Sequence, residues 1–416
     1  MENINSNIIH LKPSATLAIN ERSNALLKEG KEIFKLGFGQ SPFPVPDCVV
    51  AALKANAHQK DYLPVRGLET LRVAVANYHR RKLGIDCSRE DVLIGPGSKE
   101  LLFLTQMIYS GDLLLPRPSW VSYEPQAQLA NKQHHWLLTK AENGYMLDAS
   151  TLADYCQKHQ VQSALLILNY PSNPTGSSFA EDQLQAIAKV ARQYNLLILS
   201  DEIYGDVHHG GQHQSIAKFY PERTIISGGL SKWCGAGGWR LGTFVFPPNL
   251  QWLVNKIAIA ASETFTTTSA PIQYAAVKAF EGDAEIDQYL TNSRTILKRI
   301  GQTFAAALNR HSISTSKPIG GFYLMPDFKY YQSQLTKRHI LTSQQLCERL
   351  LEETGVALLP LSDFGMNPTF LGARLSYVDF DGQRALEMIE KNSAITAEQL
   401  APKVMAGIKK IVRWLK

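Results

Sequence analysis

Cysteine is scarce: Cys48, Cys87, Cys156, Cys234 and Cys347 are the only five in 416 residues. They lie far apart, are odd in number and form no CxxC pair. That argues against a disulfide framework or a zinc site and for a reduced, cytoplasmic protein. Long apolar runs are missing as well. No window approaches the roughly 18 continuous apolar residues of a membrane span, and the opening segment lacks an apolar core of signal-peptide length, so no membrane partner is expected. There is no dense Lys/Arg run either. The net charge of +6 (43 basic minus 37 acidic) is spread along the chain, which suits anionic small substrates and gives no reason to expect a nucleic acid. Internal repeats and low-complexity segments are absent. What is present, 44% hydrophobic and 19% charged residues, describes an ordinary globular protein. Its length fits two associated lobes, or one large domain with a smaller one.

Between about residue 87 and residue 245, short apolar runs alternate with helical patterns: Asp91–Ile94, Asp112–Leu115, Ala164–Leu168, Leu196–Leu199, Thr224–Ile226 and Thr243–Phe246. Continuous Leu/Ile/Val strands with helices between them, such as the one suggested by Asp182–Gln193, predict a mostly parallel sheet covered on both faces, an α/β fold. After Gly282 the pattern changes. Ile286, Leu290, Leu297, Ile300, Phe304 and Leu308 follow a helical period, as in a helix joining two lobes. Short strands around Gly321–Leu324 and Ala373–Tyr377 then indicate a smaller α+β domain. The boundaries expected are 1–43 for an N-terminal arm packing on the small domain, 44–285 for the large domain and 286–416 for the small one.

The chemistry gathers around Lys232, in Gly229-Leu230-Ser231-Lys232-Trp233-Cys234-Gly235-Ala236-Gly237-Gly238-Trp239-Arg240-Leu241-Gly242. A lysine among small residues can form an imine with a carbonyl cofactor, while an arginine eight positions later holds that cofactor's phosphate. Taken alone, such a lysine is far more often a surface residue of a glycine-rich loop. Other polar residues follow predicted strands, where ligands collect in open α/β sheets. Asn173 lies in the turn Asn169-Tyr170-Pro171-Ser172-Asn173-Pro174-Thr175-Gly176 and Asp201 opens Asp201-Glu202-Ile203-Tyr204. A buried acid without a sequence partner asks for a cation, and a protonated pyridine nitrogen is one. Gly95-Pro96-Gly97-Ser98-Lys99-Glu100 leads into an apolar helical stretch and offers free N–H groups to a phosphate. Trp120 has a flat face for stacking on an aromatic ring. Singly, Asp201 could equally be a helix cap, the Asn-Pro turn only a turn, and Trp120 a core residue.

Together these stations resemble the fold-type I, class I aminotransferases that use pyridoxal 5′-phosphate. The Gly229–Gly242 segment matches their lysine-attachment signature. Tyr62-Leu63-Pro64-Val65-Arg66-Gly67-Leu68, Gly97-Ser98-Lys99, Trp120, Asn173-Pro174, Asp201-x-x-Tyr204, Lys232, Arg240 and Arg374-Leu375-Ser376-Tyr377 appear in family order. Lys12-Pro13-Ser14-Ala15-Thr16 and Trp120-Val121-Ser122-Tyr123 are similar to the bacterial branch acting on aspartate, in some members also on prephenate. The resemblance implies a seven-stranded sheet and transamination between an L-amino acid, aspartate or another acidic one, and a 2-oxo acid such as 2-oxoglutarate. It makes Lys232 the attachment site and, once freed, the general base and acid that moves the substrate's proton. Asp201 would keep the pyridine nitrogen protonated. Asn173 and Tyr204 would bond the phenolic oxygen, Trp120 cover the ring, and Ser98, Ser231 and Arg240 hold the phosphate. Tyr62 would reach the phosphate of a second subunit, implying a homodimer with shared active sites. Arg374 would receive the α-carboxylate and Gly39 let the substrate approach the backbone. Lys99, helped by Ser14 and Thr16, would bind the distal carboxylate, although a lysine there could equally serve the phosphate.

Some positions depart from the family's habit. Gly229 stands where Ser or Asn is common, Gly39-Gln40-Ser41 replaces Gly-Glu-Pro, and Ala261–Pro271 has no basic residue to grip a second carboxylate. The substrate pocket is where these differences fall. An aromatic or broad-specificity aminotransferase, a β-eliminating lyase on the same scaffold and a cofactor-binding regulator are the alternatives. The last would need a DNA-binding segment for which little chain precedes the shared region.

Overall fold

The computed structural model describes Asn5, residues 7–9, Leu11, Pro13 and residues 15–416, the side chains of Ala15 and Thr16 excepted. Ser14 and the side chain of Thr16, both expected at the substrate, lie outside the described residues.

The apolar runs are strands because alternate residues of each one enter different cores. Val92–Gly95 (β1), Asp112–Arg117 (β2), His134–Leu138 (β3), Ala164–Asn169 (β4), Leu197–Asp201 (β5), Thr224–Gly229 (β6) and Gly242–Val245 (β7) form one sheet. Its order is β1-β7-β6-β5-β4-β2-β3. Neighbours run parallel except at β7, which is antiparallel to both β1 and β6. On one face Leu165, Ile167, Leu197 and Leu199 pack with Leu101 and Leu104 of helix Ser98–Ile108. On the other, Leu166, Leu168 and Ile198 pack with Leu184, Ile187 and Ala191 of helix Glu181–Gln193. This two-residue alternation between two covered faces is the geometry of a pleated strand, and it yields the expected mostly parallel α/β sheet. The edge strand β3 has no counterpart among the runs read from the sequence. His134, His135 and Trp136 are half-exposed there, so the strand shows no continuous apolar signal.

Helix Ala284–Arg310 follows, started by Asp283, whose carboxylate accepts from the Ile286 N–H at 3.0 Å. Ile286, Leu290, Leu297, Ile300, Phe304 and Leu308 are all buried, as their spacing predicts. Beyond it, Tyr323–Leu324 (β8), Leu359–Pro360 (β9) and Ala373–Ser376 (β10) make a second sheet in order β8-β10-β9, antiparallel throughout. The N-terminal segment runs beside it: Phe34 bridges to Val356, and the Ser376 N–H donates to the Leu36 carbonyl at 2.7 Å. The cysteines are unpaired. Among the described residues no helix is long and apolar enough to cross a membrane.

Candidate active site

Register aligns the site. Asn169, Asp201 and Ser227 are level across β4, β5 and β6, at the carboxyl ends where ligands of open α/β sheets bind. A cavity of about 540 Å³ opens there, within the range of small-molecule sites. Its walls bring together Gly39, Ser98, Lys99, Trp120, Asn173, Asp201, Tyr204, Ser231, Lys232, Arg240 and Arg374, each of which the sequence had marked. Tyr62 is not among them. It is 88% exposed in the single chain, so any role it has must be played towards another molecule.

Asp201 is buried to 3% exposure and accepts hydrogen bonds from Tyr123 Oη (2.6 Å) and Ser227 Oγ (3.2 Å). Among the described residues no cation lies within salt-bridge distance of it. Burial pushes its carboxyl up to about 6 from the ordinary 3.8, against the hydrogen bonds and the Lys232 charge that pull it down. Lys232 has the opposite problem. Its Nζ donates to the Gly39 carbonyl at 2.6 Å. Desolvation, reinforced by the Arg374 charge, pulls its ammonium down to about 8 from 10.5, although Asp201 holds it up. An acid and an amine are thus both held away from their preferred charged states in one cavity.

At one end of the cavity, helix Ser98–Ile108 begins at Gly97 (φ +87) with no side chain capping it. Arg240, itself left-handed at φ +56, donates to the carbonyls of Gly237 (3.0 Å) and Pro96 (3.4 Å). The backbone approach is close: a Cβ on Gly242 would stand 2.1 Å from the Ser98 nitrogen. An uncapped helix start beside a guanidinium is an anion cradle. Gly229 also finds its reason here. A Cβ at its φ of +147 would lie 2.6 Å from the Leu241 carbonyl oxygen, so this turn does not admit the Ser or Asn usual in the family.

At the other end Arg374 is buried to 2% exposure. Its Nη1 donates to Asn173 Oδ1 (3.3 Å) and its Nη2 to the Gly37 carbonyl (2.5 Å), while Nε has no partner among the described residues. A buried guanidinium with an unpaired donor has capacity left for a carboxylate. Lys99 is exposed along the wall, with Nζ 5.0 Å from the Trp120 ring centroid and, among the described residues, no carboxylate in contact. Partial desolvation and then the Arg240 charge lower its pKa.

Two residues escaped the sequence reading. Tyr123 stood in a quoted motif without a role, yet it bonds Asp201. Tyr323 read only as part of a short strand, yet its hydroxyl lies 2.8 Å from that of Tyr204. Neither spacing carries a signal for these contacts, because both are made across the fold.

The residues present fit pyridoxal phosphate. They provide a lysine with a lowered pKa, a buried acid lacking a cation, a flat indole, an anion cradle and a spare guanidinium donor. A family model described as aminotransferase class I and II matches residues 31–379. An aspartate aminotransferase of Geobacillus stearothermophilus is 31% identical over 379 residues, covering 89% of this chain and 93% of the relative. An asparagine–oxo-acid transaminase of Streptococcus mutans is 27% identical over 409 residues, covering 96% and 99%. Among solved structures, the aspartate aminotransferase of Thermus thermophilus with maleate superposes with a TM-score of 0.85 at 26% identity, covering 99% of this chain and 100% of that one. The chain therefore belongs to the class I and II aminotransferases and exchanges an amino group between an amino acid and a 2-oxo acid using pyridoxal 5′-phosphate.

Proposed function

We propose that the amino acid is acidic, aspartate in the first instance, with 2-oxoglutarate or a similar oxo acid as acceptor. One observation carries this: Lys99 is a cation on the cavity wall with no carboxylate partner among the described residues. Among the described residues the basic ones lining the cavity are Lys99, Lys232, Arg240 and Arg374. Three of them have other work, which leaves Lys99 for a distal carboxylate. The name of the Geobacillus relative points to aspartate, whereas that of the Streptococcus relative points to asparagine, the neutral amide of the same carbon skeleton.

Bound pyridoxal phosphate supplies an electron sink conjugated with the substrate's Cα. The chain's own groups do the rest. Lys232, with its pKa drawn to about 8, can take a proton and return it near neutral pH. Asp201 presents a buried negative charge to the ring nitrogen. Asn173 and Tyr204 offer donors to the phenolic oxygen, and Trp120 covers one ring face. Ser98, Ser231 and Arg240 hold the phosphate, where a planar guanidinium suits a dianion. Arg374 binds the α-carboxylate, and Gly39 leaves room beside it. Ser14 and Thr16 would assist Lys99.

The exposed Tyr62 supports a homodimer in which it reaches the partner's phosphate. Residues 44–285 form the cofactor domain, 286–416 the small domain and 1–43 an arm on it, a division supported by the separate second sheet and by the pairing of Phe34 with Val356. The unpaired thiols support a cytoplasmic location.

Steady-state kinetics of Lys99→Ala test the substrate reading. KM for aspartate rises about tenfold or more, as loss of a charge-assisted hydrogen bond requires, while KM for an aromatic donor changes less than about twofold. Equal effects on both donors would remove Lys99 from the distal site.

A further inference from the structure

The contact between Tyr204 and Tyr323 leads beyond this assignment of roles. Tyr323 is 1% exposed, lies on β8 beside Ser376 of β10, and lines the same cavity as Lys232. Its hydroxyl is 2.8 Å from that of Tyr204, and neither hydroxyl has another hydrogen-bond partner among the described residues. Gly39 is glycine where the chain passes this hydroxyl: a Cβ there would stand 2.5 Å from it. Above the ring sits Arg374, its Cζ 4.8 Å from the centroid.

Two phenols in contact share one proton, and the more acidic phenol donates it. A cation over a ring face favours the electron-rich state of that ring, so Arg374 makes Tyr323 the stronger acid. On Tyr204 the balance differs: the Arg374 charge reaches it too, but among the described residues no guanidinium sits over its ring, Lys232 Nζ is 5.6 Å from its centroid, and the charge of Asp201 opposes ionisation. Burial raises both phenols, Tyr204 well above 10, and the Arg374 charge offsets part of the rise on each; only at Tyr204 does Asp201 work against it.

We propose that Tyr323 is a positioning residue whose hydroxyl donates to Tyr204 Oη and so turns the Tyr204 proton into the cavity, towards the cofactor's phenolic oxygen. Because the polarity of this bond is set by Arg374, a carboxylate on Arg374 weakens it. The substrate receptor and the cofactor's phenolic oxygen are thereby linked through two tyrosines. The inference rests on the reading of Tyr204 as a donor to that oxygen.

The test is the pH midpoint at which the visible absorption of the bound cofactor changes. A donor on the phenolic oxygen spreads its charge and loosens its hold on the neighbouring proton, so losing the donor raises the midpoint. Tyr204→Phe and Tyr323→Phe should each raise it by roughly half to one pH unit, the scale of one hydrogen bond. The double variant should match Tyr204→Phe alone, because Tyr323 acts only through Tyr204. An unchanged midpoint in Tyr323→Phe, with Tyr204→Phe shifted, overturns the proposal, and so do additive shifts in the double variant. An unchanged midpoint in Tyr204→Phe removes the underlying reading and the proposal with it. If Tyr323→Phe does not retain cofactor, Tyr323 replaced by 3-fluorotyrosine decides. This stronger acid of nearly the same size should lower the midpoint, and a rise or no change overturns the proposal.

Discussion

Replacing Asp201 with Asn should have opposite effects on the empty and the loaded protein. Asn keeps the shape, and its Oδ1 can still accept from Tyr123. The Ser227 hydroxyl can rotate to accept from the new Nδ2. What disappears is the charge. In the cofactor-free protein the Asp201 carboxyl titrates near 6, against 3.8 unperturbed. The folded state therefore binds the proton more tightly than the unfolded chain. Stability from this group is fully present below 3.8 and is lost as pH rises through 6. At about 1.36 kcal/mol per pH unit, the gap amounts to about 3 kcal/mol, most of it falling between pH 4 and pH 7. Lys232, with its pKa near 8, stays protonated through most of that window in the wild type; loss of the Asp201 charge lowers it further, so the comparison is cleanest at the acid end of the window. Denaturant unfolding of cofactor-free wild type and Asp201→Asn, at matched pH from 4 to 7, isolates the term because other titrating groups are common to both. The variant should gain on the wild type as pH rises. With cofactor bound the sign reverses. On the proposed placement of Asp201 at the ring nitrogen, that nitrogen loses its anion, and the dissociation constant of the cofactor should rise roughly ten- to a hundredfold, as for loss of a charged hydrogen bond. A stability difference that stays flat from pH 4 to pH 7 in the empty protein would refute the reasoning.

Gly242→Ala would place a methyl 2.1 Å from the Ser98 nitrogen and 2.4 Å from the Gly97 carbonyl carbon, both backbone atoms. The phosphate cradle must shift, and a fluorescence titration should show cofactor affinity falling about tenfold, the worth of one charge-assisted bond; unchanged affinity would mean the cradle is not where the phosphate sits. Behind the site, Glu202 is 7% exposed and accepts from His213 Nε2 (2.8 Å), Ser215 Oγ (2.6 Å) and Ser200 Oγ (2.7 Å). Burial pushes its pKa up, but His213 and the hydroxyls more than offset that and leave it lowered. His213→Ala removes one of the donors that compensate this buried carboxylate and should destabilise the protein by about 1–3 kcal/mol in urea unfolding; a loss below about 0.5 kcal/mol would show that the hydroxyls suffice.

What could be read from the sequence follows a physical division. Strands β4, β5 and β6 announce themselves because both faces are covered, so that Leu165 and Leu166 must both be apolar though they enter different cores. At the sheet edge that demand lapses: β3 contains His134 and His135 and is held in place by pairing with β2. Two-residue strands such as β9 are too short to show any period. The helix Ala284–Arg310 was legible over its whole length because 27 residues repeat the period many times.

The site divides in the same way. Lys232, Asp201, Asn173 and Arg240 lie at strand ends or in rigid turns, where local sequence already limits what the backbone can do. Their chemistry shows in residue type and order. Tyr123 and Tyr323 acquire their roles from partners 78 and 119 residues away in the chain, and no local pattern encodes such a meeting. Charge states are less visible still. A sequence shows that an aspartate and a lysine are present, but only the packing shows that burial opposes the charge on both. Each departs from its preferred state in the direction that a bound ring nitrogen and a covalent partner for the amine would relieve. On the proposed attachment at Lys232, the empty protein is therefore destabilised where the cofactor would sit, and part of the intrinsic binding free energy would serve to relieve it.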